Sequence, residues 1–401
     1  MLQIFNTFGR KMEKFEPVNP EVVNIFTCGP SVYQRSHIGN HRTFLFEDVL
    51  LRYLEFLGYR VRRGIIFTDV EDKAIIEAAK KGTDVKTITQ NNIDAFVKEM
   101  HLLRMKMPEY LARASDAVDE SVKIIAELLK RGVAYRFHNN IYFDPLQYPR
   151  FGTLYGLDMS RWPKKRRRFH KDTYPGMRWN RGDFILWHGC FDAGEVCWET
   201  PIGRGRPSWN IQDASVVKKN VKEPLSIYCG GIDNLIRHHD YNMAILESVA
   251  PYRMARYWMH CHHLSVEGKK MSKSLGNIYY TETLLNEGYS AEEVRFFLIY
   301  GHYRKDLNYS NKSMQTQADM LREFKNILDE LSEKSAGGDS NPSEEILTVF
   351  TEAMNNDLNV RNAFDGVRGI LADKSLTVIS PEEASALLSA LMRIDSVLQI
   401  L

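Results

Sequence analysis

The sequence predicts an α/β protein in which a parallel sheet comes before a helical C-terminal region. The β-branched run VVNIFTC at 22–28 is typical of a buried strand. In RTFLFEDVLLRYLEFLGY at 42–59 the apolar residues have helical spacing, and Gly58 is placed to end the helix. YRVRRGIIFTDVEDK at 59–73 then returns as a second strand. This strand–helix–strand order is typical of a parallel sheet, which binds its ligands at the carboxyl ends of its strands.

The remaining elements are expected to complete this sheet and then to form helices. Two helical stretches are expected at about 85–112 and 113–132. Strand patterns resume at 225–231 (LSIYCGG) and 256–266 (RYWMHCHHLSV), so we expect a long insertion between the two halves of the sheet. From about 290 onward the pattern is helical.

Composition indicates an ordinary globular protein long enough for two or three domains. The chain has 401 residues, of which 44% are hydrophobic and 26% are charged, with a formal net charge of +2. It shows neither a basic-then-apolar leader nor an apolar run of membrane-spanning length, so we expect a cytoplasmic protein without a membrane partner. Five scattered cysteines are expected to be reduced thiols: Cys28, Cys190, Cys197, Cys229 and Cys261.

The stretch CGPSVYQRSHIGNHRT lies at 28–43, where the first strand gives way to the first helix. A tight turn explains its Gly and Pro residues. A nucleotide site also explains His37, Gly39 and Asn40, because the unpaired amides at a helix N-terminus suit a phosphate. Gly39 would let the nucleotide approach the backbone, and His37 and Asn40 would supply donors toward the α-phosphate. A helix-capping or core histidine is the alternative for His37.

The second candidate motif is EGKKMSKSLGN at 267–277. Its lysines, Lys269, Lys270 and Lys273, stand among small hydroxyl residues. A loop of this kind can wrap a triphosphate, with ammonium groups countering charge on the β- and γ-phosphates. A basic surface loop is the alternative. The run WPKKRRRFHK at 162–171 likewise fits either a nucleic-acid contact or a solvated loop.

Taken together, HIGN at 37–40 and KMSKS at 270–274 resemble the signature pair of class I aminoacyl-tRNA synthetases, with Asn in place of the second His. The chain is more closely similar to the cysteinyl-tRNA synthetases. Seven blocks follow one another in that family's order and span almost the whole chain: FTCGPSVYQRSHIGNHRT, FTDVEDK, RGDFILW, GRGRPSWNIQDAS, CGGIDNLIRHHDYNMAILES, HLSVEGKKMSKSLGN and VRFFLIYGHYRKDLNYS.

The resemblance implies a Rossmann-type catalytic domain interrupted by an inserted connective domain and followed by a C-terminal helical bundle. The expected parts are the first catalytic half at 1–110, the connective-peptide insertion at 111–208, the second half with the KMSKS loop at 209–288, a stem-contact region at 289–334 and the bundle at 345–401. The anticodon-reading domain that follows the bundle in full-length relatives is expected to be absent.

The resemblance also implies amino-acid activation, in which a carboxylate attacks the α-phosphate of ATP, with Mg²⁺, to give aminoacyl-AMP and pyrophosphate. Asp233 would accept hydrogen bonds from ribose, Trp209 would wall the amino-acid pocket, and Thr68 and Asp69 would face the substrate amine. By position, the catalytic residues would be His37, Asn40, Lys270 and Lys273; the ATP-binding residues Gly29, Gly39, Gly230, Gly231, Asp233 and Ser272; and the substrate-binding residues Cys28, Thr68, Asp69, Trp209, Asp213 and His238.

The resemblance is weakest at the metal site. The family selects cysteine through a zinc ion that is held by two Cys, one His and one Glu. Cys28 and His238 match two of these ligands, but Asp213 stands where the family has Cys and Asn242 where it has Glu. Cys28, Asp213 and His238 can still form a zinc site. Alternatively, no metal binds and Asp213 meets a polar or cationic substrate side chain directly.

The acceptor of the activated amino acid also remains open at this stage. The block match and the basic run favour the acceptor end of a tRNA. The missing anticodon domain and the altered pocket favour a small-molecule amine, as in the related truncated ligase of the mycothiol pathway. A third possibility is a non-catalytic, synthetase-like binding protein. We expect a monomer.

Overall fold

The computed structural model describes residues 1–172, 181–190, 196–272, 275–337, 340–374 and 378–401. The strands are β1 Gln3–Asn6, β2 Lys11–Lys14, β3 Val23–Thr27, β4 Val61–Phe67, β5 Tyr110–Arg113, β6 Ala134–Phe137, β7 Asn140–Phe143, β8 Phe184–Gly189, β9 Gly205–Pro207, β10 Leu225–Gly231, β11 Ala255–Cys261, β12 Leu264–Val266, β13 Lys269–Lys270 and β14 Leu307–Tyr309. The helices are α1 Ile38–Phe56, α2 Asp72–Lys81, α3 Val85–Leu102, α4 Val118–Lys130, α5 Trp209–Asn220, α6 Asp240–Glu247, α7 Thr281–Asn286, α8 Ala291–Tyr300, α9 Asn311–Lys334, α10 Glu344–Asn355, α11 Val360–Asp373 and α12 Pro381–Leu398.

Five parallel strands form the central sheet, in the order β11-β10-β3-β4-β5. All five residues of β3 are buried, as expected for a central strand that is covered on both faces. β3 pairs with β10, and Thr27 lies opposite Cys229 although about half the chain separates them. The residues that follow β3 and β10 are therefore neighbours at the carboxyl edge of the sheet, where parallel sheets bind ligands.

A separate four-stranded antiparallel sheet, β6 to β9, lies between β5 and β10 in the sequence. This sheet falls within the stretch 111–208 that was expected to be an insertion, and those bounds stay a prediction. The prediction of a helix at 85–112 is wrong about where the helix ends, because α3 stops at Leu102 and β5 begins at Tyr110. Arg104 has a positive φ of 53°, and Pro108 follows, which cannot continue a helix. The chain is then free to add an edge strand to the central sheet.

The C-terminal helices pack directly on α1 and share its apolar core. A fully buried ion pair joins Arg295 of α8 to Asp48 of α1 at 2.6 Å. The hydroxyl of Tyr53 on α1 donates to Asn355 of α10 at 3.0 Å. These contacts fix the helix that carries the HIGN motif against the bundle. Within the described ranges, no helix is long and apolar enough to cross a membrane.

The expectation of five reduced thiols is wrong for two of the cysteines. Cys190 and Cys197 are joined by a disulfide that brackets a short stretch outside the described residues. The other three, Cys28, Cys229 and Cys261, are free and buried as expected. Sequence spacing did not reveal the pair, because Cys190 follows the end of β8 and Cys197 comes just before Trp198, which bridges to Gly205 of β9.

Candidate active site

The HIGN motif forms the N-terminal cap of α1. Nδ1 of His37 accepts a hydrogen bond from the backbone N–H of Asn40 at 3.3 Å, and Oδ1 of Asn40 accepts one from the backbone N–H of His37 at 3.0 Å. Because Nδ1 is an acceptor, the proton of the neutral ring belongs on Nε2. Burial, with a smaller contribution from His41, lowers the pKa of His37 to about 4, so the ring is neutral near pH 7.

Gly39 leaves room for the His37 ring. A Cβ at position 39 would lie 3.0 Å from Cε1 and 3.1 Å from Nδ1 of that ring. Gly29 is required for a different reason, since a Cβ there would lie 1.5 Å from the carbonyl oxygen of Ile66. Both glycines line the cleft described next. The motif therefore combines a capped helix start with a backbone that a ligand can approach closely.

A cleft of about 540 Å³ opens at the carboxyl edge of the central sheet, beside the start of α1. It brings together residues that are far apart in the sequence. The predicted site residues that line it are Cys28, Gly29, His37, Gly39, Asn40, Trp209, Gly231, Asp233 and Lys270. The first two candidate motifs thus meet at one cavity, and this size suits a nucleotide or an amino acid.

The KMSKS segment begins as the short strand β13, which pairs with β12 through Ser265 and Lys270. Asn277 holds the turn, because its Oδ1 accepts from the backbone N–H of Ser272 at 2.9 Å and its Nδ2 donates to the carbonyl of Lys270 at 3.2 Å. Lys270 is exposed and lines the cleft. The predicted catalytic residue Lys273 lies outside the described residues.

The expected adenosine side of the cleft is built at the end of β10. Gly231 and Asp233 line the cavity, with Asn234 next to them. Gly230 does not line it. Its missing side chain is accounted for by packing, since a Cβ there would lie 2.5 Å from Cε1 of His239 and 3.3 Å from Cβ of Cys28.

Trp209 stands at the first position of α5 and forms one wall of the cleft. Its backbone N–H donates to the buried carboxylate of Asp172 at 3.1 Å, and the same carboxylate oxygen lies 3.0 Å from Nε2 of His188. The indole stacks on the ring of His238 with 4.2 Å between ring centroids and 7° between planes. Trp209 is therefore held by the backbone hydrogen bond to Asp172 and by the stacking of its indole on His238.

Behind Cys28 and Trp209, which line the cleft, lies a buried polar cluster that we call the pocket floor, and its members Asp213 and His238 are fully buried and do not themselves line the cavity. Ligand atoms of Cys28, Asp213 and His238 all lie within 4.8 Å of one another. Nε2 of His238 is 3.1 Å from Oδ2 of Asp213, and that oxygen also accepts a hydrogen bond from the hydroxyl of Tyr228. Burial, and then the nearby Asp213, raise the pKa of the Cys28 thiol well above its usual range. The three predicted metal ligands are thus brought together.

The two residues expected to face the substrate amine do not line the cleft. The backbone N–H of Thr68 donates to the carbonyl of Pro30, and the carbonyl of Thr68 accepts from the backbone N–H of Val32. Both carboxylate oxygens of Asp69 accept hydrogen bonds from Ser115, one from the backbone N–H at 3.0 Å and one from the hydroxyl at 2.5 Å. Their role in binding the amine stays a prediction.

Three further residues at the site were not singled out from the sequence. Lys73 lines the cleft with its ammonium 5.2 Å from the centre of the Tyr33 ring, and burial lowers its pKa. Its position in the carboxylate-rich VEDK turn after β4 was an available signal. Tyr228 could have been flagged as a tyrosine inside a buried strand, which needs a partner for its hydroxyl. Asp172 carried no local signal.

The comparison with known families and proteins agrees with this geometry. A profile of the family described as "tRNA synthetases class I (C) catalytic domain" matches residues 14–319. The chain is 35% identical over its whole length to the cysteine–tRNA ligase of Chlamydia muridarum, covering 88% of that protein. It is 32% identical to the enzyme of Protochlamydia amoebophila, covering 86%.

The chain belongs to the cysteine–tRNA ligase family. The family predicted from the seven sequence blocks is confirmed.

Solved structures show the same fold at much lower identity. The Mycobacterium tuberculosis methionyl-tRNA synthetase in complex with methionyl-adenylate superposes with a TM-score of 0.70 at 15% identity, over 94% of this chain and 92% of that one. The Agrobacterium radiobacter K84 agnB2 LeuRS–tRNA–LeuAMS complex gives a TM-score of 0.65 at 13% identity, over 96% and 85%. The predicted Rossmann-type α/β class, with the parallel sheet at its centre, is confirmed.

Proposed function

We propose that the chain activates cysteine with ATP to form cysteinyl-adenylate and pyrophosphate, and then transfers cysteine to the 3′ end of a tRNA. The main observation is that the HIGN turn and the KMSKS lysine Lys270 line one cleft together with Trp209 and Asp233. Membership of the cysteine–tRNA ligase family supports the reaction type, since several relatives over 30% identical carry that name.

In the first step, a carboxylate oxygen of the amino acid attacks the α-phosphorus, and the bond from that phosphorus to the bridging oxygen of pyrophosphate breaks. His37 is neutral near pH 7 and offers its Nε2–H to an α-phosphate oxygen as negative charge builds there. Lys270 offers an ammonium to the departing pyrophosphate. Mg²⁺ would enter with the nucleotide and neutralise part of the phosphate charge.

The remaining cleft residues position the substrates without taking part in proton transfer. Asp233 and Gly231 line the cleft, where Asp233 would accept from ribose hydroxyls and Gly231 would let the nucleotide lie close to the end of β10. Trp209 forms one wall of the pocket for the amino acid. Most of the catalytic effect would then come from orientation and from charge stabilisation in a partly closed site.

A basic loop in the insertion supports tRNA as the acceptor. Lys164, Lys165, Arg166 and Arg167 are exposed. The guanidinium of Arg166 lies 3.8 Å from the centre of the Tyr135 ring. Basic side chains interleaved with aromatic rings suit a phosphate backbone and unstacked bases.

We place the enzyme in the cytoplasm and propose that it acts as a monomer.

Charging of tRNA with radiolabelled cysteine, followed on acid gels, tests the acceptor. We expect labelled tRNA that disappears when the 3′ diol is destroyed by periodate beforehand. The double variant Arg166→Glu, Arg167→Glu is expected to charge tRNA at least about tenfold more slowly while leaving cysteine activation unchanged. Cysteine activation without any charging would contradict tRNA as the acceptor.

A further inference from the structure

The donor set at the pocket floor does not fit the zinc ion that the family resemblance implies. Asn242 occupies the position of the fourth ligand, and its side chain is fully committed elsewhere. Its Oδ1 accepts from the backbone N–H of Ala214 at 2.8 Å, and its Nδ2 donates to the carbonyl of His238 at 2.9 Å. An amide is a weaker zinc ligand than a carboxylate, and here its oxygen points away toward α5.

The orientation of Asn242 also fixes the tautomer of His238. Since Oδ1 must face the Ala214 N–H, the NH₂ group faces His238, and Nδ2 lies 3.3 Å from Nδ1 of the ring. Nδ1 is therefore a hydrogen-bond acceptor, and the proton of the ring is on Nε2. A metal-bound histidine needs the opposite arrangement, with a lone pair on the nitrogen that faces the metal and an N–H donated on the other side.

Two buried atoms at the floor make no well-aligned hydrogen bond within the described residues. They are Nε2 of His238, which lies 3.1 Å from Oδ2 of Asp213 without such a bond, and Oδ1 of Asp213, in side chains with 0% exposure. Nε2–H is a donor and Oδ1 is an acceptor, and both lie within one side chain's reach of Cys28, which lines the cleft. Buried polar atoms in native proteins nearly always have a partner, so this pair points to a ligand group that accepts one hydrogen bond and donates another.

We propose that His238 and Asp213 recognise the substrate side chain by direct hydrogen bonds, without zinc, so that the pocket takes a short hydroxyl side chain at least as readily as a thiol. This inference rests on the proposed amino-acid activation and specifies how its side chain is selected. A hydroxyl oxygen accepts from Nε2–H and donates to Asp213, and it does both better than sulfur does. Serine is therefore expected as a substrate alongside cysteine.

The metal content and the amino-acid preference are measured on the same preparation. The purified full chain is dialysed against excess zinc, desalted and analysed by mass spectrometry for metal. We expect well under one zinc per chain. ATP–pyrophosphate exchange is then measured with cysteine and with serine, each with and without a strong zinc chelator. We expect kcat/KM for serine to equal or exceed that for cysteine by up to about tenfold, and both values to be insensitive to the chelator.

Two variants sharpen this test. Asp213→Asn keeps the side-chain size but replaces the acceptor with an amide, so serine-dependent kcat/KM is expected to fall about tenfold or more. Asp213→Cys combined with Asn242→Glu restores the ligand set of the family, and we expect this double variant to retain about one zinc per chain and to favour cysteine. A matched control is Asp395→Asn, which makes the same change in a buried side chain of α12.

About one zinc per wild-type chain, with cysteine preferred over serine by a thousandfold or more and exchange abolished by the chelator, would overturn the proposal. Failure of the proposed function gives a different result, since exchange would then be absent with every amino acid tested. The zinc measurement does not depend on exchange, so stoichiometric zinc overturns this inference even in a chain that activates no amino acid.

Discussion

His37 and Asn40 hold each other at the start of α1 through two reciprocal hydrogen bonds of 3.3 and 3.0 Å. The two interpretations of His37, as a helix cap and as a phosphate ligand, are therefore compatible. Capping uses Nδ1 and leaves Nε2–H as a donor for the nucleotide. Asn40 completes the cap with its own side chain, which gives the Asn in HIGN a structural role that its sequence position did not reveal.

The first prediction separates capping from catalysis at His37. Asn is as good an N-cap as any residue, so His37→Asn is expected to keep the melting temperature nearly unchanged. The variant lacks the imidazole donor, and cysteine-dependent pyrophosphate exchange is expected to fall about 10²–10³-fold. The exposed His101→Asn serves as the control and is expected to have no effect on either measurement. A loss of stability equal to the loss of activity would contradict the catalytic role.

The second prediction concerns the space that Gly39 leaves for the His37 ring. Gly39→Ala places a Cβ 3.0 Å from that ring, so the imidazole must move by a few tenths of an ångström. We expect exchange to slow about tenfold with no loss of thermal stability, since Ala is the better helix former by roughly 1 kcal/mol. Gly369→Ala in α11 meets open space and is expected to keep full activity. Equal rates for both variants would refute this packing argument.

Lys270 and its neighbour Lys269 provide a matched pair. Both are exposed and belong to the same short strand, but of the two only Lys270 lines the cleft. Lys270→Ala is expected to reduce the exchange rate about 10²-fold, because it removes positive charge from the departing pyrophosphate. The exchange rate of Lys269→Ala is expected to stay within about twofold of the wild-type rate, because this charge does not face the transition state. Similar losses in both variants would indicate only a general effect of charge.

A fourth prediction uses the buried Glu47 of α1. Burial raises its pKa to about 8 in the folded chain, against 4.5 in the unfolded chain. The folded state therefore keeps a proton that the unfolded state releases, and the associated stability is present below pH 4.5 and is lost as pH rises through 8. Glu47→Gln does not titrate, so its melting temperature relative to the wild type should rise by a few degrees from pH 5 to pH 9. Exposed Glu21→Gln is expected to show no such trend, and a flat difference for Glu47→Gln would contradict this assignment.

Local patterns predicted much of the fold and the two motifs that meet at the cleft. The first strand was expected at 22–28 and is found at Val23–Thr27. The first helix was expected from residue 42 but begins at Ile38, because the His37 cap starts it four residues before the apolar pattern does. Gly58 follows the end of that helix with a φ of 90°, as its position suggested. Both nucleotide motifs were visible because each is a short, continuous segment.

The features that sequence reasoning missed depend on contacts between distant segments. The bond between Tyr228 and Asp213 joins β10 to α5, and the tautomer of His238 depends on an amide whose orientation is set by Ala214. Asp172 supports Trp209 from 37 residues away. No periodicity or motif encodes such pairings, so the substituted ligand positions could be found in the sequence but their hydrogen bonds could not.

We propose that the cleft lined by the HIGN turn and Lys270 forms an aminoacyl-adenylate. The most direct test is amino-acid-dependent ATP–pyrophosphate exchange by the purified chain, with cysteine and serine tested first and the other amino acids after them. We expect exchange that requires the amino acid and that falls by about 10² or more in Lys270→Ala. Binding of ATP without exchange for any amino acid would contradict it.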